Sequence, residues 1–275
     1  MRYRHRFMRP RNSEDWETEH WVEWLQEQGV VPSVTANEEG VCSLCRAPTK
    51  VDQYGGYFTR CFLCQKHYST VLDGFVPICY SVRDGLESLI WHSKNWDSAE
   101  WLRVPLASLL WEYLSKHLRC IEQAYGGPFD LRLTVPSHPE IRVQNHLDLI
   151  LERIPDMGAE WSHGILVKNS TKKANERRRK ITPDAFSASD VVKGARVLLL
   201  DDTYTSGGTL ASAAHALKVR GATRVVGLTF GRQLGDEWED SRRIIDDLPR
   251  RTLDLSQCAV HESGVRVPWS RLASG

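Results

Sequence analysis

Residues 197–209 read Val-Leu-Leu-Leu-Asp-Asp-Thr-Tyr-Thr-Ser-Gly-Gly-Thr, and this stretch restricts the fold more than any other. A short apolar run preceded by Gly194 and ended by Asp201 and Asp202 has the pattern of a strand buried on both faces of a parallel sheet. Thr205 to Thr209 is small, hydroxylated and glycine-rich, and the alanines and leucines after it suit a helix that stops at Gly221. A strand, a tight loop and a helix in that order aim backbone N–H groups at one point, where a phosphate can bind.

The acids decide which kind of phosphate site this is. A nucleoside-triphosphate loop ends in Gly-Lys-Ser/Thr, and no lysine stands here; a dinucleotide fingerprint needs Gly-x-Gly-x-x-Gly directly after the strand, which is also missing. Carboxylates beside an anion nest suit a ligand with a phosphate at one end and vicinal hydroxyls in the middle, because they accept hydrogen bonds from hydroxyls and repel phosphate.

Four apolar residues, two acids, two variable residues and then Thr-Ser-Gly-Gly-Thr resemble the phosphoribosyl-pyrophosphate (PRPP) motif of type I phosphoribosyltransferases. The resemblance implies that Asp201 and Asp202 hold the ribose hydroxyls at the catalytic centre, next to Thr203. It also implies that Thr205, Ser206, Gly207, Gly208 and Thr209 wrap the 5′-phosphate. Purine-salvage relatives carry an aspartate base where this chain has Thr205, and a threonine hydroxyl is no general base near neutral pH, so 6-oxopurine salvage is disfavoured.

The 275 residues suffice for one sizeable α/β domain with a small appendage. A formal net charge of +1 gives no global signal of nucleic-acid binding. Cys42-Ser-Leu-Cys45, fifteen residues, and Cys61-Phe-Leu-Cys64 have the spacing of a four-cysteine zinc ribbon that closes on one structural Zn²⁺. Tyr54-Gly-Gly-Tyr57 between the pairs reads as a hairpin turn, while Cys79, Cys120 and Cys258 stand apart and are expected to be buried thiols. Such cysteine usage fits a reducing compartment, and no stretch has the length and apolarity to cross a bilayer, so a cytoplasmic protein with no membrane insertion is expected.

Along the chain, residues 1–40 form an extension in which Trp21, Trp24 and Leu25 share a helical face, with Ser13 as the expected cap and Gly29 as the stop. Docking of that helix on the larger domain is expected, a partner-binding helix being the other use of the same face. Residues 41–70 are the ribbon and 78–275 the larger domain. Within it, residues 81–94 are amphipathic and end on Lys94; residues 97–124 make a helix or two, with Pro105 breaking or starting one. Residues 130–135 read as a strand cut off by Pro136, residues 144–153 as a helix, and residues 164–168 as a strand. Residues 195–200 are the central strand and residues 224–230 the strand after its helix. Lys172, Lys173, Arg177, Arg178, Arg179 and Lys180 crowd residues 169–184, which read as a solvated charge run or as a mobile lid over a polyanion. Alternating strands and helices give a doubly wound parallel sheet with ligand at the strands' carboxyl ends.

A ribbon, an amphipathic segment ending in lysine, and the PRPP motif together resemble the competence protein F (ComF) group of phosphoribosyltransferase-like proteins over residues 41–232. Lys94 matches that group's lysine, and Val135-Pro136 followed by Arg142-x-x-Asn145 matches its pattern, with His146 where a glutamine is usual. The resemblance implies PRPP contacts from Pro136, Ser137, Lys94 and Arg142, and Lys168 is a further candidate at a strand exit. It implies Mg²⁺ with PRPP, transfer of phosphoribose to an acceptor base or amine with release of pyrophosphate, or else non-catalytic binding of PRPP or a ribonucleotide. As an accessory of DNA uptake, such a chain would contact single-stranded DNA or a protein through the ribbon.

Overall fold

The computed structural model describes residues 7–34, 38–82, 85–137, 144–169 and 179–260. The helix α1 (Thr18–Glu27) precedes the cysteine-bearing segment, which ends in the one-turn helix α2 (Phe62–Lys66), and the strand β1 (Gly74–Ser81) follows. Next come α3 (Leu86–Asn95), a 3-10 turn over Asp97–Leu102, α4 (Arg103–Ala124), β2 (Leu131–Thr134), α5 (His146–Leu151) and α6 (Pro155–Gly158). The remainder is β3 (Leu166–Lys168), β4 (Phe186–Ala188), β5 (Arg196–Tyr204), α7 (Gly208–Val219), β6 (Arg224–Gln233) and α8 (Glu239–Ile245).

Four strands form one sheet in the order β1-β6-β5-β2, and every pairing in it is parallel. Strand β5 is central because it can bury both faces: Val197 to Leu200 are all 0% exposed. Alternation then sends Leu198 and Leu200 into one core, with α1, α3, α4 and α5, and Val197 and Leu199 into the other, with α7 and the ribbon. The fold is thus an α/β sheet with helices on both faces and four clustered cysteines near its N-terminal end, as expected. Gly221 closes α7 with φ +94°, and the bonds Gly221 N–H to Lys218 O and Ala222 N–H to Leu217 O, both 3.0 Å, complete a Schellman stop.

Some elements depart from expectation and others follow it. Strand β1 carries Pro77 in its middle, which argues against a strand by sequence; it is tolerated because β1 lies at the sheet edge, laddered to β6 and otherwise met, among the described residues, only by the short bridge of Pro32 and Ser33 to Tyr80 and Cys79. Strand β3 pairs antiparallel with β4 in a separate two-stranded sheet and is no part of the parallel sheet. Ser13 does not cap α1, whose N-cap is Glu17; its hydroxyl accepts from Arg9 Nε at 3.4 Å. Residues 97–124 divide into the 3-10 turn and α4, with Pro105 in the first turn of α4, where its missing N–H costs nothing. Trp21, Trp24 and Leu25 are buried, and Trp24 meets Trp101 edge-on at 5.5 Å, so α1 docks on the sheet's own core. Asp52 Oδ1 accepts from the N–H groups of Tyr54 and Gly56 at 2.8 and 3.0 Å, forming the hairpin turn between the cysteine pairs.

Candidate functional site

Strand β5 continues past its apolar run, so that Asp201, Asp202 and Thr203 stand on the carboxyl edge of the sheet while still paired to β6. The chain then turns through Thr205 and Ser206 into Gly207, which adopts φ +79° as the N-cap of α7. A side chain at Gly207 would be strained by that φ and would also run into the Tyr204 phenol. The loop is held from behind. Tyr68 Oη donates to Ser206 O at 2.9 Å, and Arg232 Nη1 donates to Tyr204 O and Thr205 O at 2.9 and 3.0 Å. The same Arg232 guanidinium donates through Nε to Cys45 O at 2.7 Å, so one buried cation joins the cysteine segment to the loop. With its carbonyls engaged on that side, the loop leads into a first helical turn whose N–H groups have no intrahelical partner.

Charge is arranged unevenly across the acid pair. Lys94, on the last turn of α3, donates to Asp202 Oδ2 at 2.8 Å. Burial opposes the Asp202 charge, but the charge and hydrogen bond of Lys94 outweigh it and hold that carboxyl below its ordinary range. Asp201 accepts from the Asp202 N–H at 2.9 Å and is pushed up to about 7, first by burial and then by the Asp202 charge, with Lys94 and Lys168 opposing. Its stabilising contribution is therefore complete below the ordinary value of 3.8 and is lost as the pH rises through about 7. Asp201→Asn is expected to remove that part of the decline in melting temperature between about pH 4 and 7. Identical profiles for the two proteins would assign the titration to another group.

A cleft of about 190 Å³ opens over these acids, lined by Lys94, Pro136, Ser137, Lys168, Asp201, Asp202, Thr203 and Thr209, and by Asn145 and His146. Thr205, Ser206, Gly207 and Gly208 form the loop beside it rather than its lining. Arg142 lies outside the described residues, as do Lys172, Lys173, Arg177 and Arg178 of the expected lid. Asn145 is built in: its Nδ2 donates to Thr134 Oγ1 and Asp148 Oδ1 at 3.0 and 3.2 Å, and Ser137 Oγ donates to its Oδ1 at 3.4 Å. A larger depression of about 420 Å³ between α1, α4 and residues 252–255 is lined by Glu19, Glu23, Glu112 and Asp254. It brings no glycine-rich helix-capping loop and lysine pair together, so size alone does not single it out.

Residues 152–241 match the model of the phosphoribosyl transferase domain. The chain carries such a domain. Over 65 residues it is 43% identical to an adenine phosphoribosyltransferase of Treponema denticola, covering 24% of this chain and 33% of that protein. The adenine phosphoribosyltransferase of Treponema pallidum strain Nichols is 47% identical over 70 residues, with the same coverage of 24% and 33%. A ribose-phosphate pyrophosphokinase of Hyphomonas neptunium is 40% identical over 79 residues, 28% of this chain and 25% of that protein. The chain thus spans a third or less of the length of these curated relatives. The phosphoribosyl transferase match includes Lys168, both acids and the loop, and leaves Lys94, Ser137 and the cysteines outside it.

Beside the phosphoribosyl transferase domain, Cys42, Cys45, Cys61 and Cys64 bring their sulfurs within 4.8 Å of one another, and Cys45 and Cys61 approach to 3.6 Å. A tetrahedral metal with bonds of about 2.3 Å requires sulfur separations of about 3.8 Å, so the set could hold an ion after small shifts. Hydrogen bonds among the four thiols pull Cys42 well below its ordinary value and push Cys45 and Cys64 above it, so the set shares its remaining protons and an ion would displace them on binding. Sequence reasoning overlooked Tyr68 and Arg232 as supports of the loop, and no local signal marks them, since Tyr68 lies 138 residues from the carbonyl it holds. Cys120 and Cys258 were expected to stand apart and instead meet at 3.7 Å, next to His117. No described helix is long and apolar enough to cross a membrane.

Proposed function

We propose that the protein binds PRPP with Mg²⁺ and transfers its phosphoribosyl group to a nitrogen nucleophile, releasing pyrophosphate. The observation that carries this reading is the convergence, on one cleft, of a hydroxyl-binding acid pair, a helix-capping phosphate loop and two lysines. Asp201 and Asp202 accept from the ribose hydroxyls, and the loop from Thr205 to Thr209 receives the 5′-phosphate. Lys94, Lys168 and the turn at Pro136 and Ser137 face the pyrophosphate. The acid pair supplies the oxygen donors that a hard cation takes, and Mg²⁺ bound with PRPP would neutralise charge on the leaving pyrophosphate. Lys94 begins tied to Asp202, so pyrophosphate must compete for it as the ligand enters. Thr205 offers no proton acceptor, which leaves the acceptor to be deprotonated before it binds or by a group it brings.

The four cysteines would hold a structural Zn²⁺, making residues 41–70 a ribbon between a helical extension, 1–40, and the phosphoribosyltransferase-like domain, read as 78–275 from the sequence, whose sheet begins earlier, at Gly74 of β1. That combination supports membership of the ComF-like group. Seven free cysteines favour a reducing, cytoplasmic setting. One observation favours a second, accessory role: the ribbon exposes Tyr54, Phe58 and Phe62 at 86%, 48% and 67%, among Lys50, Arg60 and Lys66. Aromatic faces interleaved with cations suit the stacking of single-stranded nucleic acid.

Pyrophosphate release from PRPP and Mg²⁺ across a panel of purine and pyrimidine bases and amines tests the enzyme. Release that depends on one acceptor class is expected. PRPP binding without release on any of them, accompanied by salt-sensitive binding of single-stranded DNA, would favour the accessory role.

A further inference from the structure

His117 and Cys120 are three residues apart on α4 and so share one face, on which Cys258 arrives from the chain after α8. Cys120 Sγ lies 3.7 Å from Cys258 Sγ and 3.6 Å from His117 Nδ1, and all three ligand atoms fall within 4.8 Å. Tetrahedral zinc with sulfur and nitrogen bonds of about 2.3 and 2.0 Å sets these edges at about 3.8 and 3.5 Å. The imidazole is oriented for the task. His117 Nε2 lies 2.9 Å from Leu255 O, and a carbonyl only accepts, so Nε2 carries the hydrogen in the neutral ring and Nδ1 presents its lone pair toward the sulfurs. A histidine that donates its far nitrogen to a backbone carbonyl is the arrangement that orients metal-bound imidazoles. The Tyr113 phenol packs beside Cys258 and the Ala259 backbone, and Cys120 is half-buried.

We infer that His117, Cys120 and Cys258 form a second metal site, separate from the four-cysteine cluster and suited to Zn²⁺. Two thiols and one neutral imidazole are borderline-soft donors, which select zinc over the hard cations that PRPP chemistry uses. Binding ionises both thiols and releases their protons; the Cys120 S–H, which donates to His117 O at 2.9 Å, gives up that bond. Three protein ligands leave a fourth position for water. The site would staple residues 252–260 to α4. That segment also meets the N-terminal region, through Gln26 Nε2 donating to Leu253 O at 2.8 Å and Ser33 Oγ donating to Thr252 O at 2.6 Å.

The test is a zinc count on the full-length protein, equilibrated with Zn²⁺ under reducing conditions and freed of loose metal. The expected result is a loss of about one zinc per chain from the wild type to Cys120→Ser, whatever the four-cysteine cluster retains. His117→Gln leaves both sulfurs in place and should release its zinc to a chelator sooner, which keeps the inference testable if the serine variant folds poorly. Equal zinc in wild type and Cys120→Ser, with equal chelator rates for His117→Gln, would overturn it. So would a wild type whose mass and thiol count show a Cys120–Cys258 disulfide that persists under those conditions.

Discussion

Replacing Asp201 and Asp202 together by asparagine is expected to weaken PRPP binding about a hundred-fold or more, because each lost charge-assisted hydrogen bond costs about 1.5–3 kcal/mol. Gly207→Val should weaken it by another route, through the strain of φ +79° and the collision with Tyr204. The two routes separate by ligand. The valine variant should lose ribose 5-phosphate and nucleoside monophosphates alike, whereas the asparagine variant should keep partial affinity for phosphates lacking vicinal hydroxyls. Calorimetry decides, and a wild type indifferent to PRPP and Mg²⁺ would reduce the motif to a scaffold turn.

Removing the proposed Zn²⁺ from the four-cysteine cluster is the second change expected to have a large effect, and it should reach the loop after β5. Structural zinc in small ribbons contributes about 10–16 kcal/mol of apparent binding energy to folding, so its loss should melt residues 41–70. Arg232 would then lose Cys45 O, and the Tyr68 hydroxyl its fixed approach to Ser206 O. A metal-depleted protein should therefore melt earlier and bind PRPP several-fold more weakly, with the sheet retained by circular dichroism. Equal PRPP affinity in both forms, once depletion is verified, would contradict the coupling. Arg232→Met in the metal-loaded protein should reproduce the weaker binding without the loss of zinc.

What could be read from the sequence divides by how local its cause is. The β5 strand, the loop and α7 were legible because one continuous stretch holds the apolar run, the acids, the glycine with positive φ and the Schellman stop. The cysteine cluster was legible because its two turns each close within four residues. Lys94 entered the site through a family pattern, since nothing in residues 81–94 announces a partner 108 positions away. Strand β1 escaped notice because Pro77 and Gly74 contradict strand chemistry at any place except an edge. Asn145 and His146 were seen only as pattern members, although Asn145 organises the cleft wall through Thr134 and Asp148. The cluster of His117, Cys120 and Cys258 was invisible, because 138 residues separate its two thiols and each alone looks like an ordinary core residue.

The sheet order imposes a wait on the growing polypeptide. Cys79 in β1 donates to Phe230 O in β6, 151 residues later, and at 5–20 residues per second a ribosome takes roughly 8 to 30 s to cover that distance. Throughout that interval the first strand has been made but β6, its neighbour in the sheet, has not; among the described residues only Pro32 and Ser33, which meet Tyr80 and Cys79, are there before it, and a largely unpaired apolar strand invites pairing with another nascent chain. Pro77 removes one donor from the middle of that strand. The residue that hides β1 from a reader of the sequence therefore also makes it a poor template for intermolecular pairing until β6 leaves the ribosome.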